Sequence, residues 1–157
     1  MPSSGKSTVA KAIAEKLAFR HVDLDHMVEK KEGMPLIKVM EMKGAQYFRD
    51  MEYDFLKNIA IDEKVIISTP GSAIYHIPMM EWLKKNTVII FLEEDFSVIE
   101  KRLAHTPKAI SDLKEKGLRR IWEERIPSYQ KYADNIVKTG GRSILDIADE
   151  CINLVTK

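Results

Sequence analysis

Cysteine is nearly absent from this chain of 157 residues. Cys151 stands alone, so no internal disulfide can form and a secreted, disulfide-stapled scaffold is excluded. An excess of charge of one sign is absent too. Twenty-five Lys and Arg meet 24 Asp and Glu, for a formal net charge of +1. Such a chain has no global field to hold nucleic acid or an anionic membrane, so neither partner is expected and any anion must be bound by a local site. Long hydrophobic runs are missing: the longest, such as residues 87–92, are far too short to cross a bilayer. The N-terminus carries no basic-then-apolar signal pattern. Repeats, low-complexity segments and linkers are absent as well. What remains is an ordinary globular balance, 45% apolar and 31% charged, sized for one domain over residues 1–157. A cytoplasmic chain is the expectation.

The sequence opens Met1-Pro2-Ser3-Ser4-Gly5-Lys6-Ser7-Thr8. Gly5-Lys6-Ser7 matches the end of the phosphate-binding loop G-x-x-x-x-G-K-[ST]. There, backbone N–H groups curl around phosphates, the Lys adds a point charge and the hydroxyl ligates Mg²⁺. So short a match is weak alone, but residues 6–17 strengthen it. Val9, Ile13 and Leu17 form one stripe of a helix with Ala10 and Ala14 beside it, so a helix N-terminus coincides with the anion site. The first Gly of the motif, and the strand that normally enters the loop, fall before Met1. In an open α/β sheet that strand is usually central. Its loss leaves ladder groups unpaired at ~1–3 kcal/mol each, against a total stability of ~5–15 kcal/mol. The reading that follows is that the natural protein begins several residues upstream, with Met1 internal.

Further along, residues 19–23, 65–68, 88–92 and 135–138 read as short apolar strands. Between them, residues 24–31, 36–43, 45–61, 78–85, 95–103, 117–133 and 143–155 read as helices, with breaks at Gly33, Gly44 and Pro127. Residues 105–116 are polar, contain Pro107 and read as a mobile loop with one helical turn. Strands alternating with helices imply a parallel α/β sheet covered on both faces. Ligands of such sheets bind beyond the carboxyl ends of the strands, which gathers Lys6, Ser7, Asp23, Asp25 and residues 70–72 at one crevice.

Asp23 and Asp25 lie two apart at a strand end. Helix capping explains one Asp but not two; phosphoryl transfer needs one acid near the metal and another at the acceptor hydroxyl. Arg49 and Glu52, three apart on a helix, are either a surface ion pair or an Arg fork steadied by Glu52 for a carboxylate. Arg125, just before Pro127, is either part of a solvated face or aimed at a ligand. The turn Thr69-Pro70-Gly71-Ser72 lets a ligand approach the backbone. The four His are scattered without metal-ligand spacing, and Trp122, Tyr129 and Tyr132 read as packing aromatics.

Together these residues resemble the shikimate kinase family over nearly the whole chain. The match comprises G-K-S-T at the start, D-x-D at Asp23 and Asp25, F-R-x-x-E from Phe48 to Glu52, the small-residue turn, and E-R-x-P-x-Y from Glu124 to Tyr129. The resemblance implies a three-layer α/β/α fold of the nucleoside monophosphate kinase type. Its sheet would be five-stranded and parallel, of order 2-3-1-4-5, with the first strand missing from this chain. Residues 24–61 would form the substrate-binding helices and residues 105–116 a lid. It implies a monomer that transfers the ATP γ-phosphoryl group to the 3-hydroxyl of shikimate, with Mg²⁺.

Carried over by position, Gly5, Lys6, Ser7 and Thr8 would bind ATP, with Ser7 and Asp23 supporting the metal. Arg102 and Arg142 would flank the adenine. Asp25 would hold the acceptor hydroxyls and act as base. Arg49 and Arg125 would clamp the carboxylate, Gly71 would contact substrate through its backbone, and Lys108 would take the place of a lid Arg. Two departures stand out. Pro70 replaces a Gly and removes a backbone donor. Lys108 keeps a charge but loses the guanidinium fork. These departures also admit a kinase for another small carboxylated polyol, or a non-catalytic nucleotide-binding domain of the same fold.

Overall fold

Alternating apolar strands and amphipathic helices do build an α/β structure. The computed structural model describes residues 1–60 and 64–156. Helix α1 (Lys6–Leu17) follows the N-terminal loop, then β1 (Arg20–Asp23), α2 (Leu24–Glu32), α3 (Leu36–Lys57) and β2 (Val65–Ser68). A single 3₁₀ turn, Ala73–Tyr75, leads into α4 (Ile77–Asn86) and β3 (Ile90–Glu93). Then come α5 (Phe96–His105), α6 (Leu113–Lys116), α7 (Leu118–Tyr132), β4 (Asn135–Lys138) and α8 (Ile144–Val155).

The strands form two parallel pairs rather than one continuous sheet. β1 pairs with β2, Asp23 opposite Ser68, and β3 pairs with β4, Glu93 opposite Lys138. Each pair has its own core. Val22, Leu24, Leu56, Ile74, Met79 and Leu83 pack beside the first; Val9, Ile13, Leu92, Val137, Ile147 and Cys151 pack beside the second. Helix α1 packs on both β2 and α8, and so ties the halves together. An apolar cavity of about 440 Å³ lies between the pairs, walled by Ile66 and Ile67 on one side and Ile90 and Phe91 on the other.

Local chemistry sets the ends of most elements. Ala18 and Gly33 take left-handed backbone at the C-caps of α1 and α2. Ser143 caps α8 by accepting from the Asp146 N–H at 3.1 Å. Gly44 breaks the helical path inside α3 (φ 83°, ψ 163°), as its position implies. Three expectations are corrected. Pro127 does not interrupt α7: it lies exposed, so the carbonyl one turn earlier that it leaves unbonded is on the solvent side. The strand expected over residues 88–92 is shifted toward Glu93, because the Ile89 N–H goes to the Asp134 carboxylate at 2.9 Å. The helix expected over residues 45–61 ends at Lys57, with Asn58 as its cap; residue 61 lies outside the described residues.

Candidate active site

The N-terminal loop is shaped by two residues with left-handed backbone, Ser3 (φ 57°) and Gly5 (φ 90°). Gly5 caps α1 without a side chain, which leaves the first N–H groups of the helix for an anion. The Met1 carbonyl accepts from Ser4 Oγ at 2.9 Å and Lys6 Nζ at 2.5 Å. Burial, and then the neighbouring Lys108 and Arg125, lower the Lys6 pKa to about 8, although Asp25 and Asp23 pull it up. Arg102 Nη1 donates to the Ser3 carbonyl at 3.0 Å, and its Nη2 pairs with the buried Glu94 at 3.1 Å.

The two aspartates divide their work. Asp23 caps α2, accepting from the His26 N–H at 3.2 Å. Asp25 turns into the cleft, where burial raises its pKa and the Lys6 charge opposes the rise. Behind it lies Glu52, fully buried, with no N–H or hydroxyl reaching either carboxyl oxygen. Burial and the Asp25 charge push the Glu52 pKa well up, which favours its protonated form beside Asp25. Arg49 is not steadied by Glu52: its Nη2 donates to Gln46 at 3.1 Å, its buried Nε has no partner, and it does not line the cleft.

Arg125 is the largest fully buried side chain, 1% exposed. Nη2 donates to Ser111 Oγ at 2.9 Å and Nε to Tyr75 Oη at 3.3 Å. Among the described residues no carboxylate pairs with it. Nη1 lies against the Gly71 turn, 3.3 Å from where a Cβ on Gly71 would sit. That turn is held by the Tyr129 hydroxyl, which donates to the Gly71 carbonyl at 2.6 Å; burial pushes the Tyr129 pKa to about 12.

These groups face one cleft of about 930 Å³. Its walls include Gly5, Lys6, Ser7, Thr8, Asp23 and Asp25, with Gly71, Lys108 and Arg125 at one end and Arg102 and Arg142 toward the other. Arg142 spends its donors on the Lys138 and Asp146 carbonyls and on Glu150. Ser7 is exposed and its hydroxyl makes no hydrogen bond among the described residues, so Ser7 and Asp23 could offer hard oxygen donors to a divalent cation. Among the described residues no cluster of three ligating side chains exists.

Sequence reasoning overlooked Glu94 and Ser111, and read Tyr129 only as packing. Glu94 had a signal, since it directly follows a strand on the ligand side of the sheet. Ser111 had none.

The shikimate kinase family model matches residues 2–156. The shikimate kinase of Persephonella marina is 31% identical over 153 residues, covering 97% of this chain and 93% of that one. That of Caldanaerobacter subterraneus is 32% identical over 157 residues, covering 98% and 91%. Among solved structures, the shikimate kinase of Acinetobacter baumannii in complex with shikimate superposes with a TM-score of 0.84 at 25% identity, covering 98% of this chain and 87% of that one.

Proposed function

This chain belongs to the shikimate kinase family, and from that membership we propose that it transfers the γ-phosphoryl group of ATP to the 3-hydroxyl of shikimate. One observation carries the choice of acceptor. A guanidinium buried without an anion is costly, and among the described residues Arg125 has hydroxyls and no carboxylate for partners. A carboxylate on the acceptor completes it, and the loop that takes phosphates lies across the same cleft.

The remaining roles follow from position. The free N–H groups at the start of α1 and the Lys6 ammonium hold the ATP phosphates. Lys6 gives up the Met1 carbonyl to do so. Asp25, with its pKa raised by burial against the pull of Lys6, accepts the proton of the attacking hydroxyl. Glu52 behind it, pushed by burial and the Asp25 charge toward its protonated form, limits the negative charge set against Asp25. The Gly71 backbone touches the acceptor, and Arg49 joins Arg125 on the carboxylate by leaving Gln46. Lys108, in a lid over residues 105–116, adds positive charge over the transferred group, and Arg102 and Arg142 flank the adenine. Mg²⁺ held by Ser7 and Asp23 neutralises charge that develops on the phosphates.

The same reading extends to the fold. We place a fifth strand in the apolar cavity between β2 and β3, which gives the order 2-3-1-4-5. One observation supports it: β2 and β3 each lack a partner on that edge among the described residues. A single domain over residues 1–157, monomeric and cytoplasmic, completes the proposal. No helix of the described residues is long and apolar enough to cross a membrane.

The test is ADP release from Mg²⁺·ATP with and without shikimate. Shikimate-dependent release is expected. Nucleotide binding with no shikimate-dependent release would sink the assignment.

A further inference from the structure

The Arg125 guanidinium must present a fixed pair of N–H bonds to clamp a carboxylate. No acidic residue holds it in place, and its own chain has several rotatable bonds. Two residues outside every motif of the sequence hold it instead. Tyr75, at the end of the 3₁₀ turn, accepts from Nε at 3.3 Å, and its ring centroid lies 5.2 Å from Cζ of Arg125. Ser111, buried between α5 and α6, accepts from Nη2 at 2.9 Å. Nε and one edge of Nη2 are thus occupied, while Nη1 lies beside the Gly71 turn that lines the cleft.

We infer that Tyr75 and Ser111 are positioning residues, which fix the Arg125 guanidinium so that Nη1 and the free edge of Nη2 face the carboxylate of the acceptor. The inference rests on the acceptor reading given above. Tyr75 acts by ring and hydroxyl together: the ring face attracts the cation and the hydroxyl sets its rotation. Ser111 adds a second fixed point from the segment that carries Lys108. Neither side chain touches the phosphates, so both act on acceptor affinity and not on the transfer step.

Two measurements test this, one of them independent of any acceptor. In isotope-labelled protein, the Arg125 Nε–H resonance is identified by its loss in Arg125→Lys. Its shift and its exchange with water should change in Tyr75→Ala, and change less in Tyr75→Phe, which keeps the ring. In steady-state kinetics Tyr75→Ala should raise the shikimate KM about tenfold and Ser111→Ala about threefold, with kcat and the ATP KM held within about twofold. Combined with Arg125→Lys, Tyr75→Ala should add almost nothing, because its effect passes through Arg125.

An unchanged Arg125 resonance in Tyr75→Ala overturns the inference. So does a KM effect that is fully additive with Arg125→Lys, or a loss that falls on kcat alone. Absence of shikimate turnover in the unsubstituted protein refutes the acceptor reading instead, and the resonance still decides whether Tyr75 positions Arg125. Thermal melts of each variant establish that it is folded.

Discussion

Arg125→Met should make the protein more stable and nearly unable to bind shikimate. Methionine fills a comparable unbranched volume and brings no charge. In the native protein the guanidinium is 1% exposed and has no carboxylate partner among the described residues. Burying an ion costs several kcal/mol after relaxation, whereas hydrogen bonds from a charged donor return ~1.5 kcal/mol each at the low end. Two such bonds leave a net cost of ~1–3 kcal/mol, which methionine removes. At ~2–4 °C per kcal/mol for a chain of this size, the melting midpoint should rise by roughly 2–12 °C. The same substitution deletes a two-bond, charge-assisted clamp worth about 3 kcal/mol, and at about 1.4 kcal/mol per tenfold the shikimate KM should rise roughly 100-fold. Calorimetry and the ADP-release assay read the two effects separately. A lower melting midpoint shows that Arg125 is held for the fold. A shikimate KM within about threefold of the native value shows that the carboxylate binds elsewhere, and either result refutes the reasoning.

Other outcomes follow from neighbouring residues. Lys6 is charged only below its pKa of about 8, so log(kcat/KM) for ATP should be level below that pH and fall above it, while Lys6→Arg removes the bend. The stability effect has the opposite sign. Since the unfolded Lys titrates near its ordinary value of 10.5, folding stability gains between about pH 8 and 10.5 as the buried ammonium loses its proton, which urea titrations at stepped pH can follow. Lys108→Ala should lower kcat by about 100-fold or more in single-turnover assays while leaving the melting midpoint in place, because the residue is exposed. Tyr129→Phe leaves the Gly71 carbonyl without its 2.6 Å donor and should destabilise by ~1–3 kcal/mol in chemical denaturation, with a raised shikimate KM as the turn loosens.

Sequence by itself determined most of the elements and the family. Residues 6–17, 65–68 and 135–138 were legible to the residue, because apolar periodicity and flanking Gly, Pro and Asp are local properties. The order of G-K-S-T, D-x-D, F-R-x-x-E and E-R-x-P-x-Y named the family, and the rule for strand ends gathered Lys6, Asp25 and Gly71. Only the tertiary structure decided how those groups are partnered. Asp23 caps a helix while Asp25, two residues on, faces Lys6; their spacing cannot say which carboxylate is desolvated. Glu52 reads as an ion-pair partner of Arg49 and instead lies behind Asp25 with its pKa pushed up, because burial and a like charge outweigh a cation that bonds elsewhere. Tyr75 and Ser111 meet Arg125 across separations of 50 and 14 residues, and no pattern in the chain announces either. Charge state and hydrogen bonding depend on which atoms are near and how far water is excluded, and both are set by packing between segments distant in sequence.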